Sequence, residues 1–390
     1  MYINFWYPII IGEELTPGKP EKVKVLGVNL VAFRDSKGDA QVISDTCCHR
    51  GGSLGGAWSN VPTAPRIIDD AIVCPYHGWE FGGDGKCKNI PSLGYGTKVP
   101  ERARVDAYPV QEKYGIVFAF LGSVSEEERP PLLEIEEYGQ EGWRSNKVLA
   151  FEVGFNFERS IENGLDPAHN EFVHPYQGFK GINRDTYKIN EIVPEDHNQG
   201  WGFWFMHTFD AQSLPENDDP ISKRTTSLGD SMPEQTNVQA GGGTHGPNIL
   251  ITHIRITPET GFRQYFFEAP IDEHKTKIFF VNNRNFLLDP DMDEPIQGRN
   301  FVLAQQDIDI LEDVYPLQTP LTIDQEVLVP ADVPILAYRE WLAKFDAAGW
   351  RIDVEKFNKL NGKSKAFSIP SPGRNKSKDY PIEPIPLTKT

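Results

Sequence analysis

Two cysteine–histidine pairs between residues 47 and 77 constrain this chain more than any other feature. They read Cys47-Cys48-His49-Arg50-Gly51-Gly52 and Cys74-Pro75-Tyr76-His77-Gly78-Trp79. A C-x-H pair followed by a C-x-x-H pair offers two thiolates and two imidazoles. Gly51, Gly52, Pro75 and Gly78 permit two tight loops that bring backbone amides close to sulfur. Such a donor set suits a [2Fe–2S] cluster in which two histidines replace cysteines on one iron. A structural Cys₂His₂ zinc site is the alternative. Tyr76, Trp79 and Trp58 are candidates for shielding the cluster from water. Cys48, the spacer, is expected to point away from the metal, and Cys87 to be an ordinary semi-buried thiol. Four cysteines in 390 residues, two of them adjacent, do not suggest a disulfide framework. A reducing, cytoplasmic setting fits that usage.

Residues 163–175 form a second constellation that includes Asp166-Pro167-Ala168-His169 and ends in Val173-His174-Pro175. Two histidines and a distant carboxylate are the ligands of the facial triad of non-haem Fe(II) oxygenases, which leaves positions open for O₂. On an ideal helix, His169 and His174 would lie about 140° apart. The helix must therefore widen or end between them, and Pro175 agrees with an ending.

Taken together, the two constellations resemble the α-subunit of a Rieske non-haem iron ring-hydroxylating oxygenase. The resemblance covers nearly the whole chain, most weakly in the tail and at 176–300. It implies that Cys47, His49, Cys74 and His77 hold the Rieske cluster and that His169 and His174 hold a mononuclear Fe(II). The family's carboxylate ligand lies far downstream on an acidic-apolar helix. Here 304–312 fits, with Asp307 as the third ligand and Asp309 as the rival. The usual fate of such acidic runs is a solvated helix face. By the same resemblance, Asp166 bridges a Rieske histidine of one subunit to an iron-ligand histidine of its neighbour, along a path His77–Asp166–His169. The carboxylate could equally cap a helix that has Pro167 in its first turn.

The resemblance further implies O₂ as co-substrate and a cyclic homotrimer. It implies electrons from NAD(P)H through a separate reductase, with or without a ferredoxin; the chain itself carries neither a Rossmann fingerprint nor a second iron–sulfur motif. The expected reaction is hydroxylation or oxidative demethylation of a small cyclic or aromatic organic substrate. Cis-dihydroxylation by a dioxygenase of the same family is the alternative. From another class, a Rieske electron-transfer protein without oxygenase activity would explain residues 47–77 but not 163–174 and Asp307. The D-x-x-x-x-x-Y-R-x-W-L run at 332–342 resembles that of α-subunits related to pheophorbide a oxygenase.

A net charge of −17 argues against nucleic acid and anionic membrane surfaces as partners. No apolar run reaches the ~18–20 residues of a membrane span, and residues 1–12 lack the basic start of a signal peptide.

The expected fold is α+β: a β-rich Rieske domain at 1–122, a helix-grip catalytic domain with an antiparallel sheet at 123–360, and a C-terminal tail at 361–390 that is extended or wrapped over a neighbour. Strands are expected at 22–34 (around a turn near Gly27), 40–45, 71–73, 114–122, 201–207, 249–256 and 277–281, with an amphipathic helix at 332–342. An insertion at 59–70 and an entrance loop within 211–247 are expected between them. His207, His245 and His253 are candidate pocket residues, as is the aromatic run 201–205. Asn163 is a candidate for orienting a ligand or for capping a helix start.

Overall fold

The computed structural model describes residues 1–57, 66–174, 185, 187–197, 199–208, 239–320 and 322–388. Trp58 and most of the 59–70 insertion lie outside these residues, as do Pro175 and most of the 211–247 segment. The chain forms two compact units, one of Met1–Leu132, Ala269–Glu273 and Lys344–Thr390, the other of Leu133–Glu268 and His274–Ala343.

The first unit is built from small antiparallel sheets. Phe5–Ile11 pairs with Ile116–Leu121, which also pairs with Val110–Lys113. Both Phe5–Ile11 and Ile116–Leu121 are buried almost throughout, so they read as continuous apolar runs rather than alternations. Glu21–Val25 and Val28–Arg34 form a hairpin closed by Leu26 and Gly27, both at positive φ (54° and 82°). A two-residue turn of that hand matches the twist of the strands it joins. Ala40–Ser44 extends this sheet on one side and pairs in turn with Ala107–Tyr108. A further sheet runs Ile67–Ile68, Ala71–Val73, Glu80–Gly82 and Cys87–Asn89.

The C-terminal segment belongs to the first unit, where Phe367, Ile369 and Ile385 are buried. Buried Asp106 accepts hydrogen bonds from Ser368 Oγ (2.6 Å), Ser371 N (3.0 Å) and Ser371 Oγ (2.8 Å). Arg374 adds two more, from Nε at 2.8 Å and Nη2 at 2.7 Å. Composition alone, rich in Pro, Lys and Ser, hides these few anchoring residues.

The second unit centres on a long sheet in the order Arg144–Ser145, Thr276–Arg284, Gly261–Pro270, Ile249–Arg255, Gln239–Thr244, Phe203–Thr208 and Glu195–Asp196, with Leu149–Val153 also on Thr276–Arg284. The helices Phe157–Leu165, Asp293–Leu311 and Val333–Ala347 accompany it. Asn156 starts the first of them by accepting the Glu158 amide at 2.8 Å. Asn163 therefore sits in the last turn of that helix, not at its start. Gln239–Thr244 carries three consecutive glycines. A Cβ at Gly242 would come within 3.1 Å of the Gly164 carbonyl, so the absent side chains let the helix lie close on the sheet. Among the described residues no helix is long and apolar enough to cross a membrane.

Candidate metal centres and the cavity

The two ligand loops of the first unit are built alike. Cys47 N bonds Gly52 O at 2.8 Å while Gly51 N returns to Cys47 O at 2.9 Å; Cys74 N bonds Trp79 O at 2.7 Å while Gly78 N returns to Cys74 O at 2.9 Å. Gly51 and Gly78 share the same φ of 73°, which a side chain would strain. Ala40–Ser44 delivers the chain to one loop, and Ala71–Val73 and Glu80–Gly82 flank the other.

The thiols point inward and the imidazoles outward. Cys47 and Cys74 are each 1% exposed, whereas His49 and His77 are exposed, with ring centroids 4.5 Å apart. Trp79 stacks on His49 at 4.4 Å, and Tyr76, itself exposed, lies 3.8 Å from the His77 ring. A tetrahedral zinc would draw all four donor atoms to within roughly 4 Å of one another. Among the described residues these four donors do not converge as a group of three within 4.8 Å, and they pair instead, thiol against thiol and imidazole beside imidazole. Two pairs are what the two irons of a cluster need.

The donor chemistry also fits. Contact with Cys48 and burial push the Cys47 thiol up to about 11, although contact with Cys74 opposes them. Contact with Cys47, then burial, drives Cys74 higher still. Two buried thiols in contact ionise together only with a cation between them. A Cβ at Gly52 would sit 3.3 Å from Cys74 Sγ, which keeps that side of the sulfur open. Cys48 is half-buried, and contact with Cys47 lowers its thiol pKa against the pull of burial. Cys87 is a buried thiol that donates to Asn89 O at 3.2 Å.

The second centre lies wholly in the other unit. The Phe157–Leu165 helix ends at Asp166, and one further turn, Asn170–Val173, is flanked by His169 and His174. His169 retains helical φ and ψ while His174 leaves them (φ −118°, ψ 58°). The helix thus ends between the histidines, and their rings come within 5.3 Å. Asp307, on Asp293–Leu311, places Oδ1 at 3.6 Å from His169 Nε2 and 3.1 Å from His174 Nε2. Asp309 is exposed and accepts from Gln305 Nε2 at 2.7 Å, so Asp307 is the carboxylate that joins the histidines.

Both imidazoles are held from behind. His169 Nδ1 donates to the backbone carbonyl of Asp166 at 2.5 Å, and His174 Nδ1 to Gln306 Oε1 at 2.8 Å. With those protons on Nδ1, the Nε2 lone pairs face Asp307 Oδ1, a buried oxygen without a hydrogen-bond partner. Three lone pairs converging at such distances call for a cation. His174 feels the same field: burial disfavours its charged form, yet Asp307 outweighs burial and raises its pKa. The residues fit a mononuclear metal with two imidazoles and one carboxylate.

Asp166 follows the Phe157–Leu165 helix directly. Its Oδ1 accepts from Ala168 N at 2.7 Å, and the backbone carbonyl is the group that holds the histidine. At the end of the Phe157–Leu165 helix, the Asp166 backbone N–H donates to Asn163 O at 3.1 Å.

A cavity of about 250 Å³ opens onto His169, His174 and Asp307. Its walls are mostly apolar, with Phe151, Phe205, Leu250, Phe266 and Ile308 among them. Alternation along Ile249–Arg255 turns Leu250, Thr252 and Ile254 to the cavity. His253 and Trp204 consequently line a different cleft, with His197 and Ile251. His207 and His245 are buried and are not part of the cavity wall. Of the aromatic run 201–205, Phe205 does line it, and so does Asn163. Gln306 escaped the sequence reading, although its place directly before Asp307 put it beside the site.

Residues 5–109 match the Rieske [2Fe-2S] domain, and residues 153–348 match the vanillate O-demethylase oxygenase C-terminal domain. The chain is 23% identical to the chloroplast protein TIC 55 of Pisum sativum and 30% identical to the 3-chlorobenzoate-3,4-dioxygenase oxygenase subunit of Comamonas testosteroni. Those alignments cover 87% and 71% of this chain but only 57% and 58% of the relatives' own lengths. Among solved structures, NdmA of Pseudomonas putida CBB5 with caffeine superposes at a TM-score of 0.69 and 22% identity, over 88% of this chain and 91% of that one. The fold is thus shared with that structure, and the C-terminal match alone spans half of the chain. This protein belongs to the Rieske non-haem iron oxygenases, as an α-subunit of that family of oxidoreductases.

Proposed function

We propose that the chain is a terminal oxygenase that hydroxylates or oxidatively demethylates a small cyclic organic substrate, using electrons from NAD(P)H through a separate reductase, with or without a ferredoxin. The observation that carries this reading is the apolar cavity that opens directly onto His169, His174 and Asp307. His169, His174 and Asp307 hold the mononuclear iron, and Cys47, His49, Cys74 and His77 hold the cluster. When bound, these centres supply the electrons and the O₂ activation. The chain's own contribution is to orient the imidazoles through Asp166 O and Gln306, to exclude water with aromatic and aliphatic walls, and to hold a flat ring beside the metal-facing groups.

In balance, a C–H bond, O₂, two electrons and two protons give a C–OH group and water. At an O- or N-methyl group, the resulting hydroxymethyl collapses to formaldehyde and the demethylated heteroatom. Methoxyarenes and N-methylated heterocycles, supplied with a reductase system, test the reading. Formaldehyde or a singly oxygenated product supports it. A cis-dihydrodiol would instead establish the dioxygenase reading, and reduction of the cluster with no product from any ring would establish an electron carrier.

Asp166 serves in this reading as the positioning residue between centres, in a homotrimer where one subunit's cluster meets the next subunit's iron. Burial raises its pKa, against the Ala168 amide and the His169 ring. Asp166→Asn keeps both the backbone carbonyl on His169 and an oxygen for Ala168 N, and removes only the charge. The variant should retain iron and cluster spectra while losing most turnover. Normal turnover in Asp166→Asn would remove the carboxylate from the electron path.

A further inference from the structure

A chain of buried side chains reaches the cavity wall from the far edge of the sheet, and each link dictates the orientation of the next. It begins at Arg284, which is fully buried. The guanidinium donates from Nη1 to Asn146 Oδ1 at 2.6 Å and from Nη2 to Asp293 Oδ1 at 2.6 Å. Because a guanidinium carries no acceptor, the atom of Asn146 that faces it is oxygen. Asn146 Nδ2, on the other side, donates to the Asp293 carbonyl at 2.8 Å, which agrees. Asn282 Nδ2 donates to the same Asn146 Oδ1 at 3.0 Å, and Asn282 Oδ1 then accepts from Gln264 Nε2 at 3.1 Å. Gln264 Oε1 is left facing Thr252, whose hydroxyl supplies the proton at 3.1 Å.

Thr252 lines the cavity. Its hydroxyl has one proton, and that proton is committed to Gln264, so the oxygen can only accept from the cavity side. Asn300, also on the wall, has an amide nitrogen without a hydrogen-bond partner, so no neighbour dictates its sense. Thr252 is therefore a polar wall group whose sense is set by the protein before substrate arrives, and Gln264, which also reaches the wall, is the group that sets it.

We propose that Thr252 is a specificity-determining hydrogen-bond acceptor, and that the cavity selects cyclic substrates bearing an N–H or O–H donor over isosteres that present an ether or carbonyl oxygen there. This rests on the reading of the cavity as the substrate site. An acceptor facing Thr252 would set lone pair against lone pair in an apolar enclosure, leaving both unsatisfied. The polarity is maintained from Arg284, whose guanidinium offers donors and no acceptor.

The test is calorimetric binding of indole and of benzofuran, which differ in N–H against O, to the anaerobic iron-loaded protein. Wild type should bind indole more tightly by roughly threefold to tenfold, the worth of one net hydrogen bond. Thr252→Val keeps the shape and loses the acceptor, so the preference should vanish. Thr252→Ser keeps the oxygen and should retain it. Equal binding of the two rings by wild type, or a preference that survives in Thr252→Val, overturns the assignment and leaves the cavity as a site for rings. Binding of neither ring overturns both the assignment and the reading of the cavity beneath it.

Discussion

Asp307→Ala should lower iron from about three to about two per chain, leave the visible spectrum of the cluster unchanged, and abolish turnover. The carboxylate is the one anionic donor of its group. Without it, two neutral imidazoles face an apolar cavity, and nothing offsets the charge of a divalent metal. The loss of activity should exceed the ~10–100-fold typical when a group that merely supports a ligand is removed. Gln306→Ala, which frees His174 Nδ1, provides that comparison within the same site. Asp309→Ala should keep all its iron, because that side chain is exposed and bonded to Gln305. Metal analysis and single-turnover assays of the three variants separate the roles. Full iron content in Asp307→Ala would show that the convergence on His169 and His174 is not the ligand set.

Asp106→Ala should destabilise the first unit by about 3–5 kcal/mol, the usual cost of breaking a buried, hydrogen-bonded ion pair by removing one partner. Five hydrogen bonds from Ser368, Ser371 and Arg374 end on this carboxylate. The next residues, Ala107–Tyr108, pair with Ala40–Ser44, the strand that leads into Cys47. Tyr108 Oη also donates to the Ile369 carbonyl at 2.8 Å. Losing Asp106 should thus release 361–388 to proteases and weaken the support of the first ligand loop, with a lower cluster content on purification. Replacing Arg374 by Met in the same chain should restore part of the loss, since the uncompensated charge goes with it. Chemical denaturation and limited proteolysis read both effects. Unchanged protease resistance in Asp106→Ala would show that the C-terminal segment is held by its apolar contacts alone.

The ligand loops were legible because their chemistry allows few substitutes: thiolates and imidazoles at that spacing, with glycine where φ turns positive at 51 and 78. Strands such as Ile249–Arg255 and Thr276–Arg284 declared themselves by β-branched and aromatic content. The Gln239–Thr244 strand did not, because three glycines give no pattern; Gly242 faces the Gly164 carbonyl, while Gly241 and Gly243 lie close against the backbone of Phe203–Thr208. The role of 361–388 was hidden for a related reason. It depends on Asp106, more than 250 residues earlier in the chain, and no local pattern reports such a partner. Isolated histidines carried little signal for the same reason: the register of Ile249–Arg255 turns His253 to the face opposite Thr252, and composition carries no register.

One measurement tests the account most directly: the EPR and visible spectrum of anaerobically purified protein, with iron, acid-labile sulfide and zinc counted per chain. The account predicts a reduced Rieske signal with about three irons and two sulfides. Zinc without sulfide would contradict the reading of both ligand loops, and a cluster signal with only two irons would contradict the assignment of His169, His174 and Asp307.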